Sequence, residues 1–298
     1  MRRDVGRRAI VLGASASALA VGYARAEHRV RLTAPSPYGE LERRTGGKLG
    51  VHAAYGVDRA ESPHFIHRTD ERFPMCSTFK FILAACVLAR ADAGQEQLGA
   101  LVQIPPEAVL SYAPVTSIAA KEGRSLTVEQ LCEAAVKVSD NTAANLLLER
   151  VGGPAGLTRW MRKYDQVTRL DRNEPSLNTA IPGDPRDTTE PFAMVGWLGD
   201  IDQGRVLRPS ARTLLLKWMR ECTTGLAKLR AGAPAGWIVA DKTGNNGSDT
   251  MADVAILTPP QGPPLYIAAF VTQSKLRGPE LDGIFAEITR ITLKAYHV

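Results

Sequence analysis

Residues 77–94, STFKFILAACVLARADAG, decide how this chain is laid out. Upstream of them the pattern is extended: Lys48 to Tyr55 alternates, and His64 to Arg68 forms a second short strand after a polar turn. From Ser77 onward the signals become helical, and Gly94 stops the run. Helical patterns continue to about Arg220 in LTVEQLCEAAVKVS, DNTAANLLLERVGG and ARTLLLKWMREC. Strands then return as GWIVADKTG, MADVAILTP and LYIAAFVTQ, and an amphipathic helix from Glu280 to Tyr296 closes the chain. Another helix, Pro37 to Thr45, ends at Gly46-Gly47 and leads into the first strand. Strand, helix and strand blocks in that order specify an α/β (α+β) fold. It is an antiparallel sheet built from both chain ends, flanked by N- and C-terminal helices, with an all-helical lobe inserted. The sheet lobe is expected at about 27–75 and 221–298 and the helical lobe at about 76–220. A cleft between them is the expected site.

With 298 residues, 44% of them apolar, the chain can bury a core large enough for one domain of this kind. Residues 1–26 read as an export signal: a basic start, an apolar stretch from Ala9 to Val21 too short to span a bilayer, and Ala24-Arg25-Ala26 as a cleavage site. Arg7-Arg8 ahead of Ala9-Ile10-Val11 also resembles a twin-arginine signal. A periplasmic or secreted protein is therefore expected, with no membrane contact after the signal is removed. The signal holds Arg2, Arg3, Arg7, Arg8 and Arg25 against Asp4, which is four of the six net positive charges. The mature chain is thus near neutral, so the pI of 9.2 implies no nucleic-acid partner. Cys76, Cys86, Cys132 and Cys222 lack the close paired spacing of a zinc or redox site. His28, His52, His64, His67 and His297 are equally scattered. No metal and no cofactor are expected, and a monomer is.

Ser77-Thr78-Phe79-Lys80 places a hydroxyl and an ammonium one helical turn apart on one face. A serine needs a base to become a nucleophile, and a desolvated lysine can be one. Its place at a helix start also aims a backbone N–H at a developing oxyanion. The spacing alone is undistinguished, because a capping serine and a solvated lysine would look the same. Ser139-Asp140-Asn141 lies between two helices, where a cap is all that is required, or where a second hydroxyl and an amide could reach the cleft. Lys242-Thr243-Gly244 ends a strand before a turn, or lines the cleft with groups that hold an anion. Glu174 falls in RLDRNEPSLNTAIPGDPRDTT, where no period is visible; by composition this is a solvated loop.

In this order and at these separations, the three motifs resemble those of class A serine β-lactamases and related penicillin-binding transpeptidases. The likeness extends to SYAPVT with Tyr112, and to Glu174, Leu177 and Asn178, which match the Glu-x-x-Leu-Asn of the family's loop. The resemblance implies hydrolysis of a β-lactam amide through an acyl-serine, giving antibiotic resistance. It implies Ser77 as nucleophile, Lys80 and Glu174 as bases, and Ser139 as proton relay. Asn141, Asn178, Lys242, Thr243, Gly244, Asn245 and Tyr112 would line the substrate site, and the N–H groups of Ser77 and Asn245 would form the oxyanion hole. Arg172 and Asp187 fall where the family clamps the neck of its loop.

The chain departs from the family pattern where many members carry a carboxylate-binding arginine after the Lys-Thr-Gly turn; Asp249-Thr250-Met251-Ala252-Asp253 has none. Lys228 or Arg230 could approach from the side instead. Asn173, Asn245 and Asn246 replace residues that are smaller or aromatic in many relatives, which leaves the substrate spectrum open. Cys76 has no partner, because Asn246 stands where certain relatives carry one, and Cys86 lies two residues past the partner expected for Cys132. The rivals are a D,D-peptidase or transpeptidase and a non-enzymatic β-lactam sensor. The first lacks a dedicated deacylating glutamate loop, and the second would be expected to lack Glu174 and Asn178 or to carry a long transmembrane segment.

Overall fold

Strands from the early and late parts of the described chain pair with one another in a computed structural model that describes residues 36–56 and 64–298. The proposed export signal, 1–26, lies outside the described residues. Strand β1 (Lys48–Tyr55) pairs on one side with β2 (His64–His67) and on the other with β9 (Leu265–Thr272), in the register Lys48 to Thr272. β8 (Met251–Thr258) and β7 (Ile238–Asn245) complete an antiparallel sheet of order β2-β1-β9-β8-β7. The register brings Thr243 opposite Asp253 and leaves β7, which carries Lys242, at a free edge of the sheet.

Side-chain alternation divides the core in two. On β9, Leu265, Ile267, Ala269 and Val271 face α1 (Gly39–Thr45) and α9 (Gly278–Tyr296), while Tyr266, Ala268 and Phe270 face the helical block. Helix α1 stops because Gly46 adopts φ 63°, a left-handed conformation that returns its N–H to the helix carbonyls and costs glycine little. The strong apolar content of both sheet faces follows from their being covered on both sides.

Helix α2 (Phe79–Asp92) is the hub of the other layer. Every residue from Phe79 to Leu88 is buried, which is why it shows little polar face. It packs on α4 (Val128–Lys137), α5 (Asn141–Arg150), α6 (Gly153–Met161) and α8 (Pro209–Arg220). Helix α4 starts at a capping box in which Thr127 and Gln130 satisfy each other's backbone N–H groups.

Several elements depart from the sequence reading. Helices α3 (Thr116–Lys121), α6 and α7 (Pro191–Asp202) were not expected from it. Helix α3 is too short to show a period, and the Gly153-Pro154 start of α6 reads as a turn, although proline fits a first helical turn. Helix α7 buries Met194, Val195, Trp197, Leu198 and Ile201 and is apolar around most of its circumference. The helical block is also not wholly helical: β4 (Leu101–Val102) pairs with β5 (Leu126–Thr127), and β3 (Phe73–Pro74) with β6 (Thr188–Thr189). Among the described residues no helix is long and apolar enough to cross a membrane.

Candidate active site

Ser77 sits in a single 3-10 turn, Cys76–Thr78, that leads directly into α2. The turn is held from two sides. The Met75 N–H donates to the Asp187 carbonyl at 3.0 Å, and the edge strand β7 crosses it closely. A Cβ on Gly244 would stand 2.5 Å from the Met75 carbonyl oxygen and 3.2 Å from the Ser77 nitrogen. Glycine is therefore required at position 244 by the Ser77 turn itself, and not only by an approaching ligand as the sequence had suggested.

Ser77 and Lys80, one turn apart, meet four other polar side chains in a buried cluster. The Ser77 hydroxyl donates to Glu174 Oε1 at 3.3 Å, and Lys80 Nζ lies 3.0 Å from the same oxygen. Lys80 also donates to Asn141 Oδ1 at 2.6 Å and to the Ser139 carbonyl at 2.9 Å, and lies 3.4 Å from Ser139 Oγ. From the opposite side Lys242 Nζ donates to Ser139 Oγ at 3.1 Å. One hydroxyl oxygen thus accepts from two lysines. Burial pulls the Lys80 ammonium below the ordinary lysine range, against the pull of Glu174. Burial likewise brings Lys242 down to about 8, and the charge on Lys80 acts in the same direction.

Asp140 fixes the middle of this cluster. It caps α5 by accepting from the Ala143 N–H, and it also accepts from the Val115 and Thr116 N–H groups and the Thr116 hydroxyl. With its carboxylate tied down, Ser139 takes φ 59° and Asn141 turns toward Lys80. The Asn141 N–H donates to the Tyr112 carbonyl, which ties the backbone of the half-exposed Tyr112 to the site.

Glu174 is not the solvated residue its local composition suggests; it is only 4% exposed. Asn145 holds its backbone twice, donating to the carbonyl and accepting from the N–H, both at 2.9 Å. Asn178 donates to Glu174 Oε2 at 2.5 Å. At the loop neck, Asp187 accepts from the Asp171 and Arg172 N–H groups and pairs with Arg172 Nε at 2.6 Å. Asn145 was missed in the sequence, since an asparagine inside a helix four residues past Asn141 carries no signal of a partner on a distant loop.

One expectation needs correction. Lys228 Nζ lies 2.9 Å from Asp282, and Arg230 Nε donates to the buried Asp241 at 3.0 Å, so both cations are engaged away from the cluster. The two asparagines after Gly244 are drawn into their own turn: Asn245 accepts from the Gly247 N–H, and Asn246 accepts from Ser248 and Thr250 and donates to Asp249. Thr243 is held by Thr224 at 2.6 Å. All four cysteines are buried free thiols. Among the described residues no group of three or more metal-ligating side chains converges. His52 and His64 do meet, at 2.9 Å across β1 and β2, a contact that their scatter in the sequence hides.

Comparison with known proteins identifies the family. Residues 39–296 match the model of the β-lactamase enzyme family. The chain is 40% identical to β-lactamase CTX-M-25 of Escherichia coli, over 86% of this chain and 87% of the relative. It is 42% identical to β-lactamase L2 of Stenotrophomonas maltophilia, over 87% and 85%. The solved structure of the class A β-lactamase described as the last common ancestor of Gram-negative bacteria superposes with a TM-score of 0.82 and 49% identity, covering 87% of this chain and 97% of that one. With the family model spanning nearly the whole described chain, this protein belongs to the β-lactamase enzyme family, class A.

Proposed function

We propose that the chain hydrolyses the amide of penicillin- and cephalosporin-type β-lactams through an ester on Ser77, and so confers antibiotic resistance. The observation that carries this reading is the buried Glu174 carboxylate, in reach of both the Ser77 hydroxyl and the Lys80 ammonium. In acylation, the Ser77 proton passes to Glu174 as Oγ attacks the lactam carbonyl, with the Ser77 and Asn245 N–H groups facing the oxyanion. The C–N bond then breaks, and Ser139 gives its proton to the departing nitrogen. Lys80 replaces that proton on Ser139 Oγ and takes in turn the proton held by Glu174, 3.0 Å away, so the carboxylate is ionised again, while Lys242 stabilises the Ser139 oxygen. In deacylation, Glu174 and Asn178 orient a water. Glu174 takes its proton, the new C–O bond forms, and the ester bond to Ser77 breaks with the proton returned to Oγ.

Lys242 and Thr243 hold the substrate carboxylate, and Asn141 and Tyr112 border its acylamino side chain. Arg172 and Asp187 keep the loop that carries Glu174 in place. The chain works as an exported monomer, in the periplasm or outside the cell. Incubation with a chromogenic cephalosporin and with benzylpenicillin tests the proposal. Many turnovers per enzyme are expected, abolished in Ser77→Ala; one stoichiometric adduct with no turnover would instead mark a sensor or a transpeptidase.

A further inference from the structure

A cavity of about 640 Å³ opens on the helical block between α2, α6 and the segment that enters α8, and none of the catalytic side chains lines it. That volume suits a small organic molecule, which occupies roughly 300–1,000 Å³ in ordinary ligand sites. Its floor is apolar, formed by Cys86, Ala89, Val151 and Val206. One wall is aromatic: Trp160 lies against Tyr164, with ring centroids 5.3 Å apart, and stacks on Trp197 at 5.6 Å, which fixes its plane.

The rim is strongly basic. Arg90, Arg159, Lys163 and Arg208 line the cavity, and among the described residues none of the four forms an ion pair. The Nε of Arg90 is buried without a hydrogen-bond partner. Asp92 is the acidic side chain of the lining, and it already accepts from the Arg208 backbone N–H at 3.3 Å. Burial raises the Cys86 thiol to about 12, while Arg90 and Lys163 oppose that rise, so their charges reach the cavity floor. Four cations around an apolar cavity, with a buried guanidinium N–H left unpaired, favour an anion over a neutral guest. The aromatic wall adds a preference for a flat ring, and a carboxylate or sulfonate on such a ring matches the guanidinium geometry.

We propose that this cavity is a second binding site, separate from the Ser77 cleft, for an aromatic carboxylate or sulfonate. The ring lies against Trp160 over Ala89, and the anionic group faces Arg90, Arg159 and Lys163.

The test uses the intact enzyme and 8-anilinonaphthalene-1-sulfonate as the probe, followed by its fluorescence and by energy transfer from tryptophan. One molecule per chain is expected, with binding weakened about tenfold or more by the double variant Arg159→Glu, Lys163→Glu. These two residues are exposed. Their replacement is expected to leave cephalosporin turnover and the thermal midpoint close to wild type. Ala89→Phe, which fills the cavity, should abolish binding, and the uncharged N-phenyl-1-naphthylamine should bind at least about tenfold more weakly than the sulfonate. Absence of binding, equal affinity in the charge-reversed variant, equal affinity for the neutral probe, or displacement by benzylpenicillin in Ser77→Ala would each overturn the proposal.

Discussion

In the proposed mechanism Glu174 serves release and Lys242 serves capture. Replacing Glu174 with Gln keeps the Asn178 contact but removes the base of both steps; Lys80 remains to take the Ser77 proton, whereas hydrolysis of the acyl-enzyme has no second base and should slow the more, by about 10²–10⁴-fold. Intact mass after mixing with benzylpenicillin should then show the covalent adduct persisting, and undiminished turnover would refute the role. Lys242 makes a second, pH-dependent prediction. Its ammonium ionises at about 8, so it is cationic below that pH and neutral above it. As pH rises through about 8 the enzyme should lose attraction for a substrate carboxylate, seen as a fall in kcat/KM carried mainly by KM. Lys242→Arg, which stays charged, should move that limb to higher pH if the variant remains active. The side chains that meet around Ser139 were legible in the sequence because Ser-x-x-Lys, Ser-Asp-Asn and Lys-Thr-Gly are local patterns. Asn145 was not, because its role exists only once a helix and a loop far apart in sequence have met.

At the scale of elements, the loop from 165 to 190 behaves as a built part and not as slack chain. Its neck rests on Asp187, which is 1% exposed and satisfies two backbone N–H groups besides Arg172. Asp187→Ala strands those donors and a guanidinium, a loss of about 3–5 kcal/mol by the usual cost of breaking a buried pair. Thermal unfolding should register it at about 2–4 °C per kcal/mol. Edge strand β7 carries another prediction. Gly244→Ala would press a methyl onto the Met75 carbonyl, 2.5 Å away, and push the Ser77 turn aside. Misplacing a nucleophile by an ångström can cost about 10²-fold, so burst-phase acylation should slow by about that much, and the thermal midpoint should fall too, because overpacking against backbone costs about 1–3 kcal/mol. The strand and helix blocks could be read in advance where amphipathic periods or alternation marked them. Helix α7 could not, since a helix buried on most sides has no polar face to set its period.

For the whole molecule, the two cores share the sheet between them, and α2 anchors the larger one. Leu83→Ala, in the buried middle of α2, should cost about 2–5 kcal/mol. Far-UV circular dichroism and tryptophan fluorescence should still report one shared urea transition at a lower midpoint; two separated transitions would mean that the layers melt independently. The overall plan was visible from the order of blocks alone. The pairing of β1 with β9 carries a consequence for how the molecule comes into being. Lys48 leaves the ribosome long before its neighbour Thr272 is made. The central seam of the sheet therefore cannot zip until the whole helical block has been synthesised, however long translation pauses in between. β1 must wait unpaired on that side over this interval, so the nascent chain needs protection until β9 arrives.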